Sequence, residues 1–314
     1  MAGLTSPAQI RALFAKYYSE FEGIRAQQAT PLDRLFDRVD SRGPYNTYGW
    51  FGAYPKFRQW VGPRHFKGLS TRVYQIFNKP YELSIKIDVD TFDDAQFVDQ
   101  QRIVRGMAEE GNNLPTDLVL DLMRNGQSRV GYDGQPFFST NHPVNPDYNA
   151  GTQSNYYASG FPLTRANFAA ARGRLRGFRY ESGRFLGMGQ QLLLVVPSAL
   201  EETAASIVGV NNVAVAGGVQ TNTLYNAAQV LVVPELDVDP VTNADTSATW
   251  YLFSLGGATA PAPFIYQERQ APRFWSKTDL EADNYILHRE YWFLAEANVG
   301  AGYGAWFRAI KASA

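Results

Sequence analysis

Residues 81–90 read YELSIKIDVD and residues 91–94 continue as TFDD, and these two runs decide the fold. In the first run, apolar side chains from Tyr81 to Val89 occupy every odd position, and polar ones from Glu82 to Asp90 occupy every even position. A period of two predicts a β-strand with one apolar and one polar face. At about 3.3 Å per residue this strand would extend roughly 33 Å, about twice the usual length.

A long helix is predicted to follow this strand. Thr91 lies three residues before Asp94, which is the spacing of a capping box. A helix from there to Arg124 would measure about 46 Å at about 1.5 Å per residue. Gly111 and Pro115 weaken its middle, so we expect a kink or a short break between them.

A tight turn is predicted after the helix, which should end at Gly126. Residues 132–138 read YDGQPFF, and the Asp-Gly pair in this run is among the strongest short signals for a hairpin. A polar turn at 139–143 comes next. A long exposed strand that leads into a long helix is typical of a subunit that reaches beyond its own body.

The composition limits the possible functions. The chain has 314 residues, of which 45% are hydrophobic, so it can bury a core and form two subdomains. Its 29 Lys and Arg against 30 Asp and Glu argue against a dedicated nucleic-acid binder. Because there is no cysteine, disulfides and thiolate metal sites are excluded. The first residues lack the layout of a signal peptide, and no aliphatic run is long enough to span a membrane.

Short motifs run through most of the chain in a particular order and spacing. They are Trp50-Phe51-Gly52, Trp60-Val61-Gly62, Asn78, the alternating strand, Asp93-Asp94, residues 132–138, His142-Pro143, residues 193–200, Trp250-Tyr251-Leu252, Pro263-Phe264-Ile265, Gln267, Arg269, Pro272 and residues 300–306. From about residue 45 to residue 310, this series resembles the major head subunit of Mu-like tailed bacteriophages. The resemblance implies an α+β fold, that of the tailed-phage major capsid proteins.

The resemblance also implies a domain plan. An N-terminal arm would occupy 1–48 and an extended-loop region 49–90, with a two-stranded loop at about 69–89. The peripheral domain would comprise 91–160 and 259–314 and contain the spine helix at about 94–124. The axial domain would comprise 161–258. Within the loop, a strand at 69–77 is expected to pair with the strand at 81–90 through the turn at 78–80.

Some residues are expected to have roles in assembly or in the family motif. We expect contacts between subunits from Trp60, Arg64, Arg72, Tyr74, Lys79, Tyr81, Glu82 and Lys86. We expect structural roles for Thr91, Asp94, Tyr132, Asp133, Gly134, Phe137, Phe138, His142 and Pro143.

The other elements follow from local patterns. Thr164 should cap a helix at 165–180, and the run at 192–196 predicts a buried strand followed by a helix at 199–208. Further strands are predicted at 230–233 and 250–255. Loops are expected at 145–160, 211–222 and 238–247. The segment at 261–272 should turn the chain back toward the peripheral domain. Two last strands are predicted at 285–299 and 303–310, joined by Gly300-Ala301-Gly302. The leading segment should contain an amphipathic helix at 7–21, and a short helix is expected at 55–60.

The function implied by the resemblance is assembly without catalysis and without a cofactor. Copies of the chain would form hexamers and pentamers of an icosahedral head that encloses double-stranded DNA, contacted non-specifically. A separate scaffolding protein, a portal and a decoration protein are expected partners, because no leading scaffold segment is evident. The chain would act in the virion capsid after assembly in the host bacterial cytoplasm, with no membrane partner.

Two alternatives remain open from the sequence. An encapsulin-like compartment would use the same fold for a shell around a cargo enzyme. A metal-dependent hydrolase using Asp93, Asp94 and His142 would belong to a different class. The three histidines show no zinc-binding spacing, and carboxylates at a helix start are explained by capping and by the helix dipole. A covalent cross-link from Lys56, Lys67 or Lys79 is less favoured than ordinary salt bridges.

Overall fold

The computed structural model describes residues 15–16, 18–23, 31–51, 59, 71–90, 97–144, 151–179, 185, 191–215, 218–255 and 261–314. Of the helix expected at 7–21, residues 15–16 and 18–21 are described and are helical, whereas residues 7–14 lie outside the described part. The helix expected at 55–60 lies outside it except for residue 59, and the capping box of Thr91 and Asp94, Trp60 and Arg64 lie outside it as well. Within them, strands dominate and two larger sheets share one hydrophobic core. The mixture of separate sheets and helices is the α+β class that the sequence predicts.

The strands are β1 Phe36–Asp40, β2 Tyr45–Phe51, β3 Thr71–Phe77, β4 Lys79–Asp88, β5 His142–Pro143, β6 Thr152–Gln153, β7 Tyr156–Tyr157, β8 Gln191–Val196, β9 Asn212–Val215, β10 Gly218–Thr221, β11 Gln229–Val232, β12 Thr249–Leu255, β13 Phe264–Lys277, β14 Glu290–Tyr303 and β15 Ala309–Ser313. The α-helices are α1 Phe97–Asn125, α2 Arg165–Gly177, α3 Glu201–Ala204 and α4 Asp283–His288.

The first sheet has the order β1-β13-β14-β4 and will be called the central sheet. Strand β1 is parallel to β13, and the other neighbours are antiparallel. The predicted alternation of β4 is confirmed from Tyr81 onward, because its odd residues are half-buried and its even residues exposed. The strand ends at Asp88, two residues before the predicted end, and Val89 is already helical.

The predicted hairpin between 69–77 and 81–90 is wrong. Strand β3 pairs with β2, whereas β4 pairs with β14, more than 200 residues away in the sequence. Only Asn78 separates β3 from β4, so the chain crosses from one sheet to another instead of turning back. The apolar face of β4 packs on α1 and the central sheet, and this long-range burial outweighs local hairpin closure.

The second sheet has the order β11-β8-β12-β15-β7 and follows the predictions for 192–196, 230–233 and 250–255. Strand β8 is almost wholly buried, as its continuous apolar run predicted. Helix α2 begins where expected, because the Thr164 side chain accepts a hydrogen bond from the Asn167 N–H. It ends at Gly177, before the predicted end at residue 180. The segment expected as a helix at 199–208 divides into a short 3₁₀ turn, α3 and a π-turn.

Helix α1 runs through Pro115 without the predicted break. Its inward face packs into two clusters, with Met107 and Ala108 in the smaller one and Leu122 in the main core. This burial offsets the roughly 3 kcal/mol that an internal proline costs. The helix stops at Asn125 before Gly126, where a Cβ atom would lie 2.5 Å from the Phe138 ring.

The predicted arm at 1–48 is wrong for its second half, which belongs to the subunit body. Strand β1 is part of the central sheet, and Leu35 and Phe36 are buried in the main core. Phe21 is also fully buried, and its ring stacks on Phe274 at 5.5 Å. Loss of residues 1–48 would therefore remove a strand and core side chains from the subunit itself.

Three loop predictions are also corrected. The segment at 211–222 contains the hairpin β9–β10, and the expected return at 261–272 is the first part of the long strand β13. The glycines at 300 and 302 lie inside β14 and do not join two strands. A Cβ atom at Gly300 would lie 2.6 Å from the Phe77 carbonyl oxygen, so β14 needs glycine where β3 crosses it.

Candidate functional site

Strands β2 and β3 form a two-stranded ribbon that pairs with no other strand of the described chain. Its inner face lies on the subunit body. The Ile76 side chain sits against Gly302, the Tyr303 N–H donates to the Tyr74 hydroxyl at 3.3 Å, and Arg72 donates to the Asp133 carbonyl at 3.2 Å. The ribbon is therefore fixed on one side by contacts along its length.

The base of the ribbon is held by buried amides. The fully buried Gln267 donates from Nε2 to the Ile76 carbonyl at 2.8 Å and to Asn78 Oδ1 at 2.6 Å. Its Oε1 accepts a hydrogen bond from the Tyr48 hydroxyl at 3.1 Å. Asn78 in turn donates to the Ser41 hydroxyl at 2.7 Å. Each polar group buried at this base is thus satisfied, which sets the direction in which the ribbon leaves the body.

The outer face of the ribbon exposes large apolar side chains on either side of the polar pair Thr47 and Gln75. Tyr45 and Phe77 are cross-strand partners with ring centroids 5.4 Å apart, and they remain 44% and 56% exposed. Val73, on the same face, is 60% exposed. Side chains of this kind on an unpaired ribbon are typical of a surface that another protein covers.

The described residues that were expected to contact neighbouring subunits lie on the ribbon and on strand β4. Arg72 and Tyr74 are used within the subunit, as described above, and Tyr81 packs against the main core. Lys79 and Glu82 are exposed. Lys86 is exposed and forms an ion pair with Glu290 at 2.8 Å, and this pairing holds the pKa of the Glu290 carboxyl below its usual value.

The turn at 131–135 and the residues after it form a buried polar network. Gly134 adopts a left-handed φ of 79°, as the Asp-Gly pair predicts. The segments on either side of the turn form a single β-bridge between Val130 and Pro136, and not the two strands of a full hairpin. Asp133 Oδ2 lies 2.6 Å from His142 Nδ1, and the His142 ring stacks on Trp306 at 3.9 Å. Phe137 and Phe138 are buried in the main core beside this network.

Asn155, which no sequence motif marked, completes the network. Its side chain is fully buried, donates to the carbonyls of Phe137 at 2.8 Å and Trp306 at 3.1 Å, and accepts from the Ser139 N–H at 2.9 Å. Its Oδ1 lies 3.1 Å from His142 Nε2. Because both amide ends are engaged, Asn155 connects the turn to the last segment of the chain.

A metal-dependent hydrolase is not favoured by this geometry. Both ring nitrogens of His142 face oxygen acceptors, so neither offers a free lone pair to a metal ion. Across the described ranges there is no group of three His, Cys, Asp or Glu side chains placed to hold a metal. Asp93 and Asp94 lie outside those ranges.

No helix in the described part of the chain is long and apolar enough to cross a membrane.

Lys311 is buried beside this network, and its titration gives a testable prediction. Its ammonium donates to Gln127 Oε1 at 2.7 Å and lies 5.7 Å from the Tyr251 ring centroid. Burial lowers the pKa of Lys311 to about 8. The unfolded chain therefore binds more protons between this value and the ordinary lysine pKa, so the free energy of unfolding rises with pH across that window.

We expect this rise to be absent in Lys311→Met. Between about pH 8 and pH 10.5, the wild-type chain should gain about 2 kcal/mol relative to the variant. Urea unfolding at several pH values measures the difference. Lys79→Met, which removes an exposed lysine, is the matched control. Parallel curves for the wild type and Lys311→Met would contradict the prediction.

Comparison with known proteins identifies the family. The model of the Mu-like prophage major head subunit gpT matches residues 10–161, 156–236 and 238–314. The major capsid protein of Escherichia phage Mu is 24% identical over 307 residues, which cover 98% of this chain and 74% of that protein. The Mu-like prophage FluMu major head subunit of Haemophilus influenzae is 26% identical over 170 residues, which cover 53% of this chain and 55% of that protein.

Solved structures agree on the fold. A chain of the procapsid of bacteriophage JBD30 has a TM-score of 0.57 and 23% identity, and the match covers 98% of this chain and 76% of that one. A chain of the native GTA particle capsid has a TM-score of 0.56 at 10% identity, with 90% and 89% covered. The α+β fold is thus that of tailed-phage capsid proteins. With the family model matching nearly the whole sequence, the chain belongs to the Mu-like prophage major head subunit gpT family, whose members are structural head proteins and not enzymes.

Proposed function

We propose that copies of this chain assemble into hexamers and pentamers of an icosahedral head that encloses double-stranded DNA. The observation that carries the proposal is the β2–β3 ribbon, whose inner face is fixed to its own subunit while the outer face exposes Tyr45, Val73 and Phe77. A monomer gains nothing from such a surface. In a closed lattice the same weak contact forms between every pair of neighbouring subunits, and the many contacts together stabilise the shell.

The structure supports a revised domain plan for this function. We assign the extended loop to the ribbon and its connection, residues 45–77, in place of 69–89. The peripheral domain comprises the central sheet with α1 as the spine helix, and it includes β1 from the expected arm. The axial domain comprises 161–258, where the hairpin β9–β10, with its second strand exposed, would face a capsomer axis.

The proposed partners follow from the same function. A separate scaffolding protein and a portal would act during assembly in the host bacterial cytoplasm, and the product would be the virion capsid. The capsid of bacteriophage JBD30 is decorated with minor capsid protein trimers, which supports a decoration protein here. The near-zero net charge fits a shell that contacts packaged DNA non-specifically, because strong attraction would hinder packing. The family match does not favour the encapsulin-like alternative, for which a cargo enzyme inside purified particles would be the required finding.

The exposed ribbon face provides the test of the proposal. We expect Val73→Ser with Phe77→Ser to leave the melting temperature of the dilute subunit nearly unchanged, because both side chains are exposed there. The yield of closed particles should fall about tenfold or more, since the loss is repeated at every contact of the lattice. Negative-stain electron microscopy and sedimentation measure both particles and free subunits.

Val241→Ser is the matched control, because Val241 is 89% exposed but lies outside the ribbon. It should form particles as the wild type does. Normal particles from the double ribbon variant would show that the outer face is not an assembly contact. A wild-type chain that stays monomeric at high concentration, with its expected partners supplied, would refute the proposed function.

A further inference from the structure

Charges in the axial domain, residues 161–258, are separated along the chain. All six basic residues of the domain are arginines in one short stretch: Arg165, Arg172, Arg174, Arg176, Arg179 and Arg184. Glu181 is the one acidic residue within that stretch, and the other six acidic residues of the domain lie at positions 201–245. A subunit of near-zero net charge therefore contains one strongly basic segment.

Three of these arginines form a stripe along one side of helix α2. Arg165, Arg172 and Arg176 are spaced by seven and four residues, which places them on the same flank of the helix. The helix buries a different face, that of Phe168 and Leu175, in the main core. Arg176 is exposed, and the other two arginines are half-buried. This arginine stripe is about 16 Å long, at about 1.5 Å per residue.

No carboxylate neutralises the stripe within the part of the chain that the structure describes. Arg165 donates from its guanidinium to the neutral Asn222 Oδ1 at 2.6 Å, and no described residue forms an ion pair with Arg172 or Arg176. Partial burial, and then the charge of Arg176 one turn away, lower the pKa of the Arg172 guanidinium. Like charges at this spacing destabilise a helix, and an anionic ligand would remove that repulsion.

The helix dipole accounts for only part of the stripe. Cations are stabilised in the last turn of a helix, which explains Arg176 and its neighbour Arg174. Arg174 also has a partner of its own, because its guanidinium lies 4.2 Å from the Tyr157 ring centroid. Arg165 is the first residue of α2, where the dipole disfavours a positive charge. The stripe thus extends beyond the turn in which the dipole acts.

The surface beside the stripe fits a nucleic acid better than a protein. The other exposed residues in the middle of α2 are small, namely Ala166, Ala169, Ala170 and Gly173, so a rigid polyanion can approach closely. Protein interfaces are anchored by large apolar or aromatic side chains, and none is exposed on this helix. Guanidinium groups also donate to phosphate oxygens in a bidentate geometry, and the basic segment contains arginine without lysine.

We propose that the arginine stripe of α2 faces the interior of the shell and binds the phosphates of the enclosed double-stranded DNA. The inference rests on the proposed function and assigns the DNA contact to one surface of the subunit. Binding is independent of DNA sequence, because only phosphates are contacted. Since each subunit supplies three arginines, the contact is weak and salt-dependent, so it does not hinder packing of the genome.

Removal of two charges from the stripe tests the DNA contact. Fluorescence anisotropy measures binding of the dilute subunit to a labelled duplex of about 20 base pairs, between about 0.02 and 0.1 M salt. We expect Arg172→Gln with Arg176→Gln to weaken binding about fivefold or more at the lowest salt. The slope of log K against log salt should become about 2 less steep. Circular dichroism should show an unchanged fold, because both side chains lie off the buried face.

Arg105→Gln with Arg273→Gln is the matched control, because it makes the same charge change at two exposed arginines outside the stripe. Each of them has a glutamate as a neighbour, Glu109 one turn along α1 and Glu296 across the sheet from β13. This control should bind the duplex within about twofold of the wild type. An equal loss of binding in the two double variants would show that binding follows net charge alone, which overturns the inference.

Poly-glutamate distinguishes an acidic protein from DNA as the ligand. Its charges are spaced more widely than those of duplex DNA, which carries about one charge per 1.7 Å of helix axis. At equal total charge, it should therefore compete for the subunit about fivefold or more less well than unlabelled duplex does. Equal competition, with the same dependence on Arg172 and Arg176, would identify an acidic protein segment as the ligand and refute the DNA contact.

The position of the stripe in the shell can be tested because the chain has no cysteine. Ala169 is exposed and lies on the same flank as the stripe, so Ala169→Cys introduces a single thiol there. In intact empty particles, we expect a small maleimide to label this thiol and a maleimide with a long polyethylene glycol chain not to label it. In free subunits, both reagents should react. Labelling of particles by both reagents would place the stripe outside, labelling by neither would place it between subunits, and either result overturns the inference.

Particle formation separates the failure of this inference from the failure of the proposed function. The variant with Arg172→Gln and Arg176→Gln should form closed particles as the wild type does. If it forms them and binds DNA as tightly as the wild type, the proposed function stands and the DNA contact is wrong. Loss of particles from this variant alone would make the stripe an assembly contact instead. If the wild type forms no particles, the proposed function fails and the inference fails with it.

Discussion

Gly300→Ala is expected to release the ribbon from a subunit that otherwise folds. The added Cβ atom would lie 2.6 Å from the Phe77 carbonyl oxygen and 3.0 Å from Gln267 Nε2. Backbone at this distance cannot give way as a flexible side chain can, so β3 must move off β14 and the Gln267 amide loses its partners. We expect a loss of about 3 kcal/mol in the free energy of unfolding and an almost complete loss of particles.

Urea unfolding and negative-stain microscopy measure the two effects. Gly106→Ala is the control, because nothing lies within 4 Å of a Cβ atom at that exposed helix position. It should instead stabilise the chain by about 0.5–1 kcal/mol. A Gly300→Ala variant that retained both wild-type stability and particles would show that the ribbon is not held as described.

Asn155→Leu is expected to destabilise the subunit more than any other substitution proposed here. Leucine matches asparagine in size, but the Ser139 N–H and the carbonyls of Phe137 and Trp306 would each lose a hydrogen bond inside the core. Each buried group left without a partner costs about 1–3 kcal/mol, so a total of about 4 kcal/mol is expected. The melting temperature of the dilute subunit measures this loss.

Asn167→Leu provides a comparison at a half-buried asparagine whose Nδ2 donates to the Pro162 carbonyl at 2.8 Å in a solvent-exposed hydrogen bond. Its loss should cost well under about 1.5 kcal/mol, because water can replace the bond. Equal effects of the two substitutions would indicate that Asn155 acts only as a packed side chain.

Local patterns predicted the elements better than their pairing. The alternation of β4, the Thr164 cap of α2 and the left-handed Gly134 depend on neighbouring residues, and all three are confirmed. The partner of β4 depends on a strand more than 200 residues away, which no local pattern specifies. The same limit explains why β1 was assigned to an arm.

The family motifs predicted the buried turn network only in part. Asp133 and His142 belong to the family motifs at 132–138 and 142–143, and the Asp133 carboxylate lies 2.6 Å from the His142 ring. Asn155 was missed because it lies in a stretch rich in Asn, Gly and Ser, where a buried amide resembles an ordinary loop residue. Gly300 and Gly302 were interpreted as a turn for a similar reason. Their role depends on β3, which crosses β14 only in the folded chain.

The single residue between β3 and β4 has a mechanical consequence. Tension applied to the ribbon reaches β4 at Lys79 and is directed along that strand. Strand β4 is joined to β14 over ten register positions, and a pull along the strand stretches all their hydrogen bonds together. Bonds stretched in parallel resist far more force than bonds opened one at a time, so the β4–β14 pairing resists a pull on the ribbon along the strand.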